Sequence, residues 1–165
     1  MITIGIDPDT HHTSLVILDG TRVKWAHVLT VPRKLTGKAA VYATIQAAMR
    51  LPDTLPDVKV DMIVVEAMQV YGDAPEKANS LLPLSTIGGA VMAILSNKYP
   101  NAGICLPKPP EWKGQVPKKI HHKRILKALE NAEALTSSHL IDAGGLAQWG
   151  QTTKAHTLSD LRLLP

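Results

Sequence analysis

Apolar and polar positions alternate at the start of the chain: Ile2, Ile4 and Ile6 are separated by Thr3 and Gly5, the two-residue period of a strand. Thr13–Leu18 and Arg22–Val31 read as two further strands. Asp19-Gly20 between them is a hairpin signal, because glycine accepts the positive φ that tight turns require. Gly37–Leu51 changes to helical spacing, with Val41, Ile45, Ala48 and Met49 on one face. Val58–Glu66 is a β-rich apolar run and predicts a strand covered on both sides. A long apolar helix is expected from about Glu76 to Lys98, with Pro83 and Gly88-Gly89 near a turn or a tight packing point. Ala102–Leu106 predicts a short strand and Pro107–Pro117 a loop. Pro117 then suits the first turn of a helix running to about Glu130. On that helix Ile125, Ala128 and Leu129 share one face, and Lys119, Lys123, Arg124 and Lys127 another. A last helix starts near Ser137 or Ser138, good N-cap residues, and runs to Trp149 or Gly150.

The order β-β-β-α-β-α-β-α-α predicts an α/β fold. Its mixed five-stranded sheet has three antiparallel strands, then αβ crossovers, with helices on both faces. One domain is expected over residues 1–151, with a C-terminal tail over 152–165.

Composition sharpens this in a few places. There is no Phe, so Val, Ile, Leu, Ala and Met must build the core. The single cysteine, Cys105, excludes an internal disulfide and a cysteine-based zinc site, and fits a reducing, cytoplasmic setting. The longest uncharged apolar stretch, Ile87–Leu95, is short for a membrane span, so no membrane partner is expected. Net charge is +4, and eight Lys or Arg stand between Lys98 and Lys127 against one acid, Glu111. Alone, such a run is a solvated helix face; beside a catalytic centre it becomes a polyanion surface.

Four acceptor side chains sit where this architecture would gather them. Asp7 ends the first strand in Gly5-Ile6-Asp7-Pro8, and Glu66 ends the central strand in Val64-Val65-Glu66. His139 and Asp142, three apart at the start of the last helix, share a face. Three carboxylates gathered beside an imidazole repel one another, so such a cluster calls for a cation. Oxygen-rich ligation favours Mg²⁺ or Mn²⁺. Taken singly, each is an ordinary turn, strand end or helix start.

Together these motifs resemble the RuvC-type Holliday-junction resolvases. Gly5-Ile6-Asp7-Pro8, Val65-Glu66 and Ser138-His139-Leu140-Ile141-Asp142-Ala143 match that family in order and spacing, over roughly residues 1 to 150. Lys77–Leu95 is similar to its long central helix. The resemblance implies an RNase H-like fold, a homodimer, two divalent metal ions per site, and paired nicks in branched DNA, chiefly four-way junctions. It names no helicase partner. It also implies Asp7, Glu66, His139 and Asp142 as catalytic metal ligands, with Asp7 bridging both ions. Lys113 and Lys118 or Lys119 fall near the family's phosphate-contacting loop and helix start, and Lys123 follows on the same helix.

There are departures. Asp9 stands where the family usually has glycine after Asp-Pro, followed by Thr10-His11-His12, which read as exposed turn residues. Asp9 could crowd the metal site or add an acceptor around it. Gln69 stands where many members carry an aromatic wedge, and Tyr71 is the nearest substitute; this suits a divergent, phage-borne enzyme. Trp112 either stacks on a DNA base or packs its loop onto the body. Trp25 and Trp149 are assigned to packing, and Cys105 to the core. The competing readings are a junction-binding protein without useful cleavage, and an RNase H-like nuclease acting on forks or RNA. An actin-like nucleotide-binding fold would need a larger, two-lobed chain.

Overall fold

In a computed structural model, which describes residues 1–68 and 75–152, a five-stranded sheet is ordered β3-β2-β1-β4-β5. The strands are β1 (Ile2–Asp7), β2 (His12–Asp19), β3 (Arg22–Thr30), β4 (Met62–Val65) and β5 (Gly103–Cys105). The first three pair antiparallel, and β4 and β5 add in parallel to β1. The helices are α1 (Gly37–Ala48), the short α2 (Leu51–Thr54), α3 (Pro75–Lys98), α4 (Pro109–Lys113), α5 (Lys118–Ala128) and α6 (Ser138–Thr152). Ala132–Ala134 forms one 3₁₀ turn. The 152–165 tail lies almost entirely outside the described residues.

The pleat divides the core in two. Ile4, Ile6 and Ile63 face one side, where Ala48, Ile87, Val91 and Leu95 of α1 and α3 cover them. Val16, Leu18, Met62 and Val64 face the other, covered by Trp112 of α4, Ile125 of α5 and Leu140, Ala143 and Leu146 of α6. Helices therefore lie on both faces, as the element order requires.

Several sequence expectations need correction. The hairpin turn is Gly20-Thr21, with Gly20 at φ +57° and Asp19 still paired with Arg22. The central strand begins only at Met62. Helix α1 buries Ala40, Thr44 and Ala48, one step round from the expected face, leaving Met49 exposed. Ala128 on α5 is likewise exposed. Pro83 lies inside α3 and marks no turn, whereas Gly88 does mark a close approach: a Cβ there would meet Pro8 at 3.2 Å. The expected loop 107–117 contains α4. The apolar part of α3 is also longer than Ile87–Leu95: Leu81–Lys98 has a mean hydropathy of 1.2, long and apolar enough for a span by composition alone. Its seam Ile87, Val91 and Leu95 is instead buried in the sheet's first core.

Helix α6 lies unusually close to the sheet. A Cβ on Gly5 would stand 2.0 Å from the carbonyl oxygen of Ala143 and 2.5 Å from the nitrogen of Ala147. Only glycine lets the helix backbone rest on β1. On its outer side Gly145 leaves the same kind of room for Ile125 and Trp112.

Candidate active site

Strand parity sets the site. Asp7 lies on the same face of β1 as Thr3 and Gly5, and Glu66 continues the parity of Met62 and Val64. Both therefore project toward α6. Ile6 and Val65 are register partners, and the Glu66 N–H donates to the Ile6 carbonyl at 3.1 Å, so the two acids leave adjacent strand ends together. Ser137 caps α6, its Oγ accepting the Leu140 N–H at 3.2 Å, and so fixes where His139 and Asp142 fall. Asp142 is buried and His139 half-buried.

The structure brings all four predicted residues into one neighbourhood. His139 Nδ1 lies 2.7 Å from Asp7 Oδ2. Burial raises the pKa of Asp7; the bond to His139 opposes the rise, and the fields of Glu66 and Asp142 add to it. That bond in turn raises the pKa of His139, against its partial burial. The pair is well placed to share one proton.

Each remaining carboxylate has two holders. Glu66 Oε1 accepts from Trp112 Nε1 and from Lys113 Nζ, both at 3.0 Å. Asp142 lies 2.8 Å from His122 Nε2 through Oδ1 and 2.8 Å from Lys118 Nζ through Oδ2. Lys113 and Lys118, expected on a phosphate surface, thus reach into the carboxylate site. Trp112 is 7% exposed and packs beneath α6, edge-on to His121 at 5.0 Å between ring centroids. Of its two expected roles it takes packing, together with holding Glu66, and its ring is not offered to a base.

His122 was not singled out as a site residue. The signal was present: Lys118 and His122 are four apart on one helix, hence on one face. Asp9 stands near enough to the centre for its field to add to the upward shift of His139. Its Oδ1 accepts the N–H groups of His11 and His12 at 2.8 and 2.9 Å, closing the turn after β1. His11 and His12 are half-buried and not exposed, and the His12 ring lies 6.5 Å from that of His139. Lys119 and Lys123 line a groove with Lys118, His122, Leu126 and Ser138, beside Asp142. Tyr71 and Gln69 lie outside the described residues. Trp25 stacks on His27 with centroids 5.2 Å apart, and Cys105 packs against the second core.

Three carboxylates and an imidazole are the donor set of a hard divalent cation, and the field of two acids on a third, buried one is what such a cation would relieve. In donor chemistry the residues fit. As their side chains stand, no three His, Cys, Asp or Glu groups among the described residues converge on one point, and Lys113 and Lys118 are paired with Glu66 and Asp142.

No protein-family model and no curated protein matches this chain. Solved structures do. RuvC of T. thermophilus in complex with a Holliday junction substrate is similar at a TM-score of 0.69 and 19% identity, over 95% of this chain and 99% of that one. A second structure of Thermus thermophilus RuvC is similar at 0.67 and 17%, over the same shares. The chain has the RuvC-like form of the RNase H fold, over nearly its whole length.

Proposed function

We propose that this protein is a divalent-metal-dependent endonuclease that resolves four-way DNA junctions by paired nicks. The observation that carries this reading is the Asp7–His139 contact, with the fields of Glu66 and Asp142 reaching Asp7, beside a groove lined by Lys118, Lys119 and Lys123. The likeness to a RuvC bound to a Holliday junction supports branched DNA as the substrate, and the groove's lysines suit its phosphates.

Asp7, Glu66, His139 and Asp142 would hold Mg²⁺ or Mn²⁺, two ions per site. When bound, such ions would supply an activated water and a charge to stabilise the departing oxygen of the phosphodiester. The chain's own residues do the rest. Trp112 and His122 fix the rotamers of Glu66 and Asp142. His139 must give up its proton to act as a nitrogen donor, and its bond to Asp7 holds the ring in place. Lys119 and Lys123 bind the phosphate backbone without reading bases.

Two active sites related by a two-fold axis suit symmetric cutting, so the protein is proposed to act as a homodimer. A groove between α1 and α3, lined by Val41, Tyr42, Ile45 and Leu82, supports this, since Tyr42 and Leu82 are 66% and 63% exposed. Sedimentation should give a dimer, shifted toward monomer by Leu82→Glu. The expected setting is the cytoplasm.

The alternative of binding without cleavage draws on one observation: lysines stand on two of the three acids. Incubation with four-way junction, fork, linear duplex and RNA–DNA hybrid, in Mg²⁺ and in Mn²⁺, separates the readings. The nuclease reading expects junction cleavage first. Tight junction binding with no product in either metal would favour the alternative.

A further inference from the structure

The two acids flanking Asp7 are held in the same way. Each has one ring donor, the buried Trp112 or the half-buried His122, and one lysine, the half-buried Lys113 or the exposed Lys118. For Glu66 these are the Trp112 indole and Lys113; for Asp142 they are the His122 imidazole and Lys118. The carboxylates are 12% and 8% exposed at their side chains, whereas Lys113 and Lys118 are 33% and 60% exposed. His122 is 16% exposed.

This asymmetry separates two jobs. The buried Trp112 indole and the half-buried His122 imidazole are rings held by their surroundings, so each sets the position of its carboxylate. A lysine ammonium on a flexible stem is a strongly hydrated point charge without fixed geometry; Lys118 can return to water at small cost, and Lys113 has in addition its contact over the Trp112 ring, 4.8 Å from the centroid, to give up. The lysines thus neutralise, while the aromatic donors position. Arginine would have clamped the carboxylates in two-point bonds and resisted leaving.

We propose that Lys113 and Lys118 are built-in counter-cations of Glu66 and Asp142, which a divalent ion displaces and thereby releases toward DNA phosphate. The proposal rests on the metal-centre reading above. Trp112 and His122 stay on the carboxylates during the exchange, so the ligands keep their positions while their counter-charge changes. Lys118 needs to move least, because it already lines the groove with Lys119 and Lys123. Metal binding and phosphate binding then reinforce each other: each ion that enters frees one cation for the backbone beside the reacting bond.

The test is Mn²⁺ binding to the full chain, followed by electron paramagnetic resonance, without DNA. Wild type is compared with Lys113→Gln, Lys118→Gln and Lys127→Gln, and cooperative melting shows that each is folded. Asp7→Asn identifies the part of the signal that belongs to this site. Displacement predicts that Lys113→Gln and Lys118→Gln each tighten Mn²⁺ binding about two- to fivefold, the size of a partly exposed ion pair. Lys127, on the same helix with no contact to a carboxylate, should leave it unchanged. Equal or weaker binding in the two variants, or an equal gain in Lys127→Gln, would overturn the proposal and leave the metal centre standing. A wild type that binds no Mn²⁺ sensitive to Asp7→Asn would overturn both.

Discussion

Asp7 Oδ2 and His139 Nδ1 lie 2.7 Å apart although 132 positions separate them in the chain. One ends the first strand and the other opens the last helix, so the bond closes the fold across its candidate site. It also sets a conflict. Asp7 is 7% exposed, its pKa is raised, and its field partners Glu66 and Asp142 are acids.

That conflict predicts a stability gain from removing the charge. A carboxyl whose folded pKa lies above its ordinary 3.8 contributes stability below that pH and loses it as pH rises through the folded value. At neutral pH the carboxyl of Asp7 is therefore a cost to the fold. Asp7→Asn should melt higher than wild type in EDTA at pH 7, at about 2–4 °C for each kcal/mol relieved. The gain should shrink toward pH 4. A lower melting temperature at pH 7 would mean that the bond to His139 outweighs burial.

The fold was legible because its signals were periodic. Ile2, Ile4 and Ile6, the turn glycine Gly20 and the cap Ser137 each have one strong local reading, and the structure agrees with them to within a residue or two. The places of Asp7 and Glu66 at adjacent strand ends were legible from the strand pattern, but each became a candidate only together with His139 and Asp142. What escaped was tertiary. Nothing near Trp112 in sequence says that its indole is buried on Glu66, because Gly145, more than thirty positions later, makes the room. Lys113 and Lys118 looked like surface charge because a lysine's sequence neighbours do not reveal where its ammonium reaches. Thr44 is buried in α1 since its hydroxyl bonds the carbonyls of Ala40 and Thr10, and hydrophobic pattern alone could not place it.

The close approach of α6 to β1 predicts an unusually costly glycine substitution. Gly5→Ala would drive a methyl into the backbone of Ala143 and Ala147, which cannot give way as a side chain could. A loss of about 3 kcal/mol is expected in denaturant unfolding. Gly89→Ala, on the exposed side of α3 with open space around it, should instead gain up to about 1 kcal/mol. Equal effects at both sites would mean that α6 does not rest on Gly5.

The groove beside Asp142 predicts a salt-dependent phenotype. Replacing Lys119 and Lys123 by Ala should weaken junction binding equally for different base sequences. It should also flatten the plot of log affinity against log salt by about 2. An unchanged slope would return both lysines to a solvated helix face.

Two histidines predict acid sensitivity. Burial lowers the pKa of His27, and lowers that of His121 against the opposing field of Asp142. A histidine whose folded pKa lies below its ordinary 6.5 gives stability that is present above that pH and lost as pH falls through the folded value. Denaturant midpoints should therefore drop below pH 6.5, and His27→Gln or His121→Gln should lessen the drop. His139, shifted upward, has the opposite sign: its contribution is present below 6.5 and lost as pH rises through the folded value. His139→Gln should make the acid loss steeper. Identical pH profiles in all four proteins would contradict these environments.

The central claim is that Asp7, Glu66, His139 and Asp142 form a metal-dependent centre that cuts junctions. The direct measurement maps the cut strands of a synthetic four-way junction, each arm labelled in turn, with wild type and Asp7→Asn in Mg²⁺. The account predicts symmetric nicks in two opposing strands with wild type, none in EDTA, and none with Asp7→Asn, which still binds the junction. Cleavage by Asp7→Asn at the wild-type rate, or by wild type in EDTA, would contradict it.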